Sequence, residues 1–280
     1  MAPPSFSDIG KQSRDVFGKG YNFGVMKLEV KAKSSSGVEY TCSGNSPMES
    51  GAVSGTLETK YKCSDYGITM TEKRSTDNSL NTTIDVTDKV MPGLKLTLDG
   101  NFKPATGGLA GKFKTEYKHE RLLCTTDMGL TASPVINMSA SVGHGPWALG
   151  YSTAFDTGKA AVVKNSLALG YSAGDMVCHV TANDAKMFGG GIYHKVRPGL
   201  ETGVSVNTSA AGNTDFGIGC KYDLGSDASI RAKVDNSSKV GLSYQQVLRP
   251  GITMTASVLM DATKLNQPGH KFGMSLEMSA

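Results

Sequence analysis

No window of the 280-residue chain approaches eighteen consecutive apolar residues, which excludes a transmembrane helix. The N-terminal Met1-Ala2-Pro3-Pro4 has no apolar stretch of the kind a signal peptide needs. Cysteines are few: Cys42, Cys63, Cys124, Cys178 and Cys220 are odd in number, far apart and without a Cys-x-x-Cys pair, which argues against a disulfide framework or a structural zinc site and fits a reducing compartment. Ten prolines against 34 glycines exclude a Pro-rich linker, and the glycines lack the period of three that collagen requires. A formal net charge of +4, dispersed along the chain, is too weak for a nucleic-acid partner and suits small anions better.

Signatures of catalysis are missing as well. His119, His144, His179, His194 and His270 show no i, i+4 pairing, and no Gly-x-Ser-x-Gly occurs. The run Gly189-Gly190-Gly191 lacks the Lys-Ser/Thr continuation of a phosphate loop and sits inside a strand pattern, where close packing or a bend explains it. No enzyme is expected.

What the chain does have is period two. Met26, Leu28, Val30 and Ala32 alternate with Lys27, Glu29, Lys31 and Lys33, so a strand here has one apolar and one fully charged face. Leu57, Thr59 and Tyr61 alternate likewise with Glu58, Lys60 and Lys62; Leu94, Leu96 and Leu98 with Lys95, Thr97 and Asp99; Phe113, Thr115 and Tyr117 with Lys112, Lys114, Glu116 and Lys118. Milder versions follow, from Trp147, Leu149 and Tyr151 to Phe272, Met274, Leu276 and Met278. Turn clusters such as Pro92-Gly93, Arg197-Pro198-Gly199 and Arg249-Pro250-Gly251 separate the segments. From Gly24 to Ala280 about nineteen strands are expected.

Strands of about ten residues, short turns and this alternation are the signature of a transmembrane barrel. A soluble β-sandwich or lipocalin-like barrel is the alternative, but a sandwich has only about seven to nine strands and must pack its apolar faces together. A cylinder of about nineteen strands is too wide for side chains to fill, since about sixteen to eighteen strands already leave an aqueous channel. The expected fold is therefore all-β: residues 25–280 form a transmembrane β-barrel of about nineteen strands. Residues 1–24 form a short helix and a linker with Gly18, Gly20 and Gly24 as hinges. Ser5 or Ser7 can cap that helix, with Ile9, Val16 and Phe17 on one side and Lys11, Arg14 and Lys19 elsewhere. It reads either as a surface amphipathic helix or as one folded into the lumen, apolar stripe on the wall and cations facing the ions.

On the lumen parity of the four charged strands stand ten lysines, among them Lys27, Lys31, Lys60, Lys95, Lys112 and Lys114, against four acids, Glu29, Glu58, Asp99 and Glu116. Such a wall attracts anions. The late strands do not continue it, because Lys221, Arg231, Lys233 and Lys271 are balanced by Glu201, Asp215, Asp235, Asp261 and Glu277, so selectivity should be weak. Glu72 breaks its strand's pattern. Counted from Ile68 and Met70 it has the lipid parity, which makes it a functional-site candidate, the other reading being a shifted strand with Glu72 at the interface.

Several segments resemble the mitochondrial voltage-dependent anion channels, or mitochondrial porins. They are Pro3-Pro4-Ser5-Phe6-Ser7-Asp8-Ile9-Gly10-Lys11, the stretch from Arg14-Asp15-Val16-Phe17 to Gly24, Leu57-Glu58-Thr59-Lys60-Tyr61-Lys62, Tyr66-Gly67-Ile68-Thr69-Met70-Thr71-Glu72-Lys73, Thr76-Asp77-Asn78, Pro92-Gly93-Leu94-Lys95-Leu96-Thr97, Ala232-Lys233-Val234 with Asn236-Ser237-Ser238, and Gly269-His270-Lys271-Phe272-Gly273. Arg74 stands where that family usually has Trp, and Lys239 where it has an apolar residue. The segment from Lys271 to Met278 resembles the sorting signal on the last strand of mitochondrial barrels. The resemblance implies a voltage-gated, weakly anion-selective channel of the mitochondrial outer membrane that passes metabolites including adenine nucleotides. The alternative is a non-pore membrane barrel acting as lipid scramblase or protein-docking platform.

The same resemblance implies nucleotide contacts at Lys11 and Lys19 and, on the late strands, at Lys239, Val240, Gly241, Ser257, Val258, Leu259, Met260 and Asp261. It gives Glu72 a role in lipid contact, gating and association. No cofactor is required, and NAD(H) and ATP are candidate bound ligands. Implied partners are membrane lipids, anionic metabolites and nucleotides, further copies of the chain in a homo-oligomer, and cytosolic proteins such as hexokinase and apoptosis regulators.

Overall fold

Alternation dictates strands wherever it runs, and a computed structural model shows them; it describes residues 3–184, 186–264, 266–267 and 269–279. Met1, Ala2 and Ala280, included in the expected segments, lie outside the described residues. Among the described residues, a 3-10 turn, Phe6–Asp8, and one α-helix, α1 (Lys11–Gly18), precede nineteen strands. The first seven are β1 (Val25–Lys33), β2 (Glu39–Pro47), β3 (Ser54–Cys63), β4 (Ile68–Ser75), β5 (Leu80–Thr87), β6 (Leu94–Lys103) and β7 (Gly108–Lys118). Then come β8 (Leu122–Gly129), β9 (Val135–His144), β10 (Trp147–Asp156), β11 (Ala161–Ala173), β12 (Met176–Asn183) and β13 (Met187–Arg197). The last six are β14 (Leu200–Ser209), β15 (Thr214–Asp223), β16 (Ala228–Asp235), β17 (Lys239–Arg249), β18 (Ile252–Asp261) and β19 (Lys271–Ser279).

Each strand pairs with its neighbours in chain order, and β1 also pairs with β19, so the 19 strands form one closed β-barrel. An up-and-down meander with an odd number of strands must bring its first and last strands together in parallel. The closing pair is indeed parallel, with Met26 opposite Met274 and Leu28 opposite Leu276, and the other registered pairs are antiparallel. Tight turns rely on glycine where the backbone demands it. Gly93 has φ +82° and a Cβ there would run into the carbonyl oxygen of Lys118.

Directly opposed residues share a face, so the registers extend the parities of the sequence around the sheet. The outward face carries exposed large apolar groups, including Leu57, Tyr61, Trp147, Leu149, Ile218 and Phe272. So wide an exposed apolar band belongs against hydrocarbon, where only a closed barrel or a helix satisfies every backbone group. Among the described residues, buried apolar ones are correspondingly few: Ile9, Val16, Leu123, Ala154 and Ala168. Buried polar groups outnumber them, with Ser13, Ser141, Ser243, Ser257 and Ser275 among them. Contacts divide the chain into two compact units, Met1–Ile9 with Ala32–Cys42 and Gly55–Leu169, and Gly10–Lys31 with Ser43–Ser54 and Gly170–Ala280.

Candidate pore wall and its lumenal segment

Ser5 caps the 3-10 turn: the Asp8 amide donates to its Oγ at 3.2 Å, and that hydroxyl donates to Asp8 Oδ2 at 2.6 Å. The cap therefore serves the turn and not α1. Gly10, at φ +72°, breaks the chain between the two, and α1 starts there without a side-chain cap. At its other end the Lys19 amide donates to Asp15 O at 2.9 Å. Ile9, Ser13 and Val16 are each 2% exposed or less. Ser13 and Val16, three apart on α1, share one face of the helix, and Ser13 is the member that apolar patterning alone misses.

The N-terminal segment meets glycines. In the first unit, a Cβ on Gly143 would touch Pro3, one on Gly150 would lie 2.7 Å from Ile9 Cδ1 and 2.9 Å from Phe6 Cδ2, and Ser141 Oγ donates to Pro4 O at 2.6 Å. In the second unit, the His179 ring lies beneath Gly10, and Val16 and Phe17 lie 3.0 to 3.3 Å from where Cβ atoms would stand on Gly203, Gly217 and Gly219. Phe23 fills the space over Gly241, and the Asn22 carbonyl fills that over Gly273. These wall glycines share the parity opposite the apolar band: Gly203 and Gly219 are directly paired, between outward Val204 and Ile218. The segment thus lies on the polar, lumenal face.

Serines on that face hold its linker. Ser243 Oγ donates to Gly20 O at 2.6 Å, the Asn22 amide donates to Ser257 Oγ at 3.0 Å, and Asn22 Nδ2 donates to Ser275 Oγ at 3.0 Å. Burial pushes the Tyr21 phenol up to about 12 against the opposing pull of nearby Arg231.

The six expected selectivity lysines all face inward. Lys27 and Lys31 both bind Glu29, at 2.6 and 2.7 Å. Lys95 binds Asp85 at 3.3 Å, and Lys114 binds Asp99 at 3.0 Å. Lys112 stands opposite Asp99, and Lys60 opposite Thr71. Asp85 on β5 and Asp127 on β8 point the same way, as their registers with Thr97 and Lys114 require. Strands without a charged stripe had hidden these carboxylates, and they make the early wall less positive than its four most basic strands suggest. Asp85 and Asp99 also accept from Thr97 and Thr83 hydroxyls, so carboxylates, hydroxyls and ammonium groups interlock across β5, β6 and β7.

Glu72 is directly opposed to Thr59 on β3 and Thr82 on β5, sharing the face of Leu57, Tyr61 and Ile84. It is on the outward, apolar face. Two residues on, Arg74 shares that face and grips it, Nε at 2.8 Å and Nη2 at 2.7 Å from the same Glu72 oxygen. This partner was visible in the i, i+2 spacing, and it turns a lone outward charge into an ion pair.

The nucleotide candidates fall in separate places. Lys11 opens α1 and Lys19 caps its end, both exposed. On the late strands Lys239 is opposed to Asp261, Gly241 to Leu259 and Ser243 to Ser257, all on the lumenal parity. Val240 with Met260, and Leu242 with Val258, have the outward parity. Lys239, Leu259, Met260 and Asp261 border a recess of about 200 Å³ completed by Lys264, His270 and Lys271, which reasoning from sequence did not connect to them.

Residues 2–273 match the eukaryotic porin family. A voltage-dependent anion-selective channel of Drosophila melanogaster is 50% identical over 282 residues, covering 100% of both chains. A non-selective voltage-gated ion channel, VDAC2, of Meleagris gallopavo is 50% identical over 281 residues, covering 99% of this chain and 95% of that protein. Among solved structures, a triple mutant of Rhodopseudomonas blastica porin covers 91% of this chain and 95% of its own, at 10% identity and a TM-score of 0.46. With a family match across nearly the whole sequence and half-identical relatives of the same length, this chain belongs to the eukaryotic porins.

Proposed function

We propose that this chain is a voltage-gated, weakly anion-selective channel of the mitochondrial outer membrane, passing small ions and metabolites including adenine nucleotides. The observation that carries the reading is the inward face of a closed 19-stranded sheet, which is polar, lined with lysines, and partly covered by an N-terminal segment lying on glycines. A cylinder of that many strands holds water. The names of its relatives support voltage dependence. Because much of the wall's charge is internally paired, its preference among small ions is mild, and charged solutes respond to the net surplus of lysine.

Nucleotide phosphates meet point charges at Lys11 and Lys19 on the lumenal segment. A second candidate is the recess bordered by Lys239, Lys264, His270 and Lys271, where the cations outnumber Asp261. The N-terminal segment is the gate element in this reading, since it is joined to β1 through Gly20 and Gly24, both at positive φ. Refolded protein in a planar bilayer tests the proposal. Stepwise conductance that falls as the voltage rises in either polarity is expected; a chain that inserts without conducting would instead be a barrel serving as scramblase or docking platform.

A further inference from the structure

Lys233 lies on the inward parity of β16, opposed to Gly219 and Gly241, and by position alone it counts as one more pore charge. Its contacts say otherwise. The ammonium donates to Phe17 O in the last turn of α1 at 2.6 Å, and it stands 4.3 Å from the Tyr21 ring centroid and 5.0 Å from that of Phe23. The last carbonyls of a helix lack intrahelical donors and carry the negative end of its dipole, so a cation there is favourable. Both rings are within the range of cation–π attraction. Gly241 makes the arrangement fit, since a Cβ there would lie 2.7 Å from Phe23 and 3.1 Å from the Lys233 stem.

We propose that Lys233 is the clasp of the lumenal segment: a positioning residue that joins the end of α1 to its linker and to the wall, and that sets closure under voltage more than ion preference. The proposal rests on reading the segment as the gate. A lysine suits the role because its flexible stem reaches across the glycine and its single charge serves one carbonyl and two aromatic faces at once. An arginine retains the charge, the donors and the stacking. A methionine of similar length retains only the packing.

The test compares full-length Lys233→Met and Lys233→Arg with the deletion of residues 2–19 and with Lys112→Met, all refolded and recorded in planar bilayers, alongside amide hydrogen exchange of the same samples. Lys233→Met is expected to move voltage closure toward that of the deletion, to change reversal potential no more than Lys112→Met does, and to speed exchange at the Lys19 and Asn22 amides about tenfold or more. Lys233→Arg should restore all three. If the deletion alters closure but Lys233→Met gates and exchanges like the parent, the clasp is refuted while the gate stands. If the deletion itself gates like the full chain, the gate reading fails and with it the clasp's hold on closure; its positioning of the segment is then judged by exchange, supported if accelerated in Lys233→Met but not in Lys233→Arg, and overturned if unchanged. Should Lys233→Met fail to refold, Tyr21→Leu with Phe23→Leu removes the rings beneath the ammonium and is held to the same outcomes.

Discussion

Replacing Gly273 with alanine puts a methyl group where the Asn22 carbonyl oxygen lies, with Val25 O close behind at 3.0 Å. Backbone blocks it on both sides, so no rotamer relieves the overlap and the linker must lift from β19. Lifting breaks the bonds from the Asn22 amide to Ser257 and from its side chain to Ser275, both 3.0 Å long. Each neutral hydrogen bond is worth about 0.5–1.5 kcal/mol net, so the docked linker should lose about 1–3 kcal/mol, or about 5- to 150-fold in its docking equilibrium. The ladder between β18 and β19 is untouched, and barrel stability should hardly change. Gly225→Ala is the matched control, because a Cβ there meets nothing within 4 Å. Refolding in vitro avoids any effect on sorting, and amide exchange at Asn22 is the readout. Exchange in Gly273→Ala equal to that in Gly225→Ala would mean that the linker is not held on β19.

Two other expectations follow from the site. Arg74→Gln should increase labelling of Glu72 by a lipid-soluble carbodiimide severalfold, since it frees a carboxylate now held by two guanidinium nitrogens, while lumenal Glu58 stays unlabelled by mass spectrometry; labelling of Glu58 in preference to Glu72 would show the β4 register to be wrong. Substituting Lys11 and Lys19 together with alanine should weaken ATP block of conductance, and a block unchanged in concentration dependence would remove both lysines from the nucleotide path.

Strand number and facing were legible in the sequence because a barrel in lipid leaves each strand's two faces in different media, and β1, β3, β6 and β7 record the contrast residue by residue. Glu72 could be placed by the same parity. The wall's charge was legible only in part: Asp85 shares its face with Asn81, Thr83 and Thr87, and Asp127 shares its face with Thr125 and Leu123, so no run of charge flagged either face. The glycine seat was harder still, because glycine has no side chain to declare a face. Gly203, Gly219, Gly241 and Gly273 show their purpose only when register aligns them under the segment. Lys233 was misleading for a different reason, since its partners Phe17, Tyr21 and Phe23 lie more than two hundred residues earlier, and no local pattern connects them.

Reversal potential across a salt gradient, compared between the parent chain and the quadruple variant Lys27→Glu, Lys31→Glu, Lys60→Glu and Lys95→Glu, tests most directly whether the polar inner wall is the path of the ions. Four lysines exchanged for four glutamates move the lumenal charge by about eight units, far beyond the modest surplus that the paired wall retains. The parent should show a weak anion preference and the variant a clear cation preference at similar conductance, whereas a reversal potential that keeps its sign would place these side chains off the conduction path.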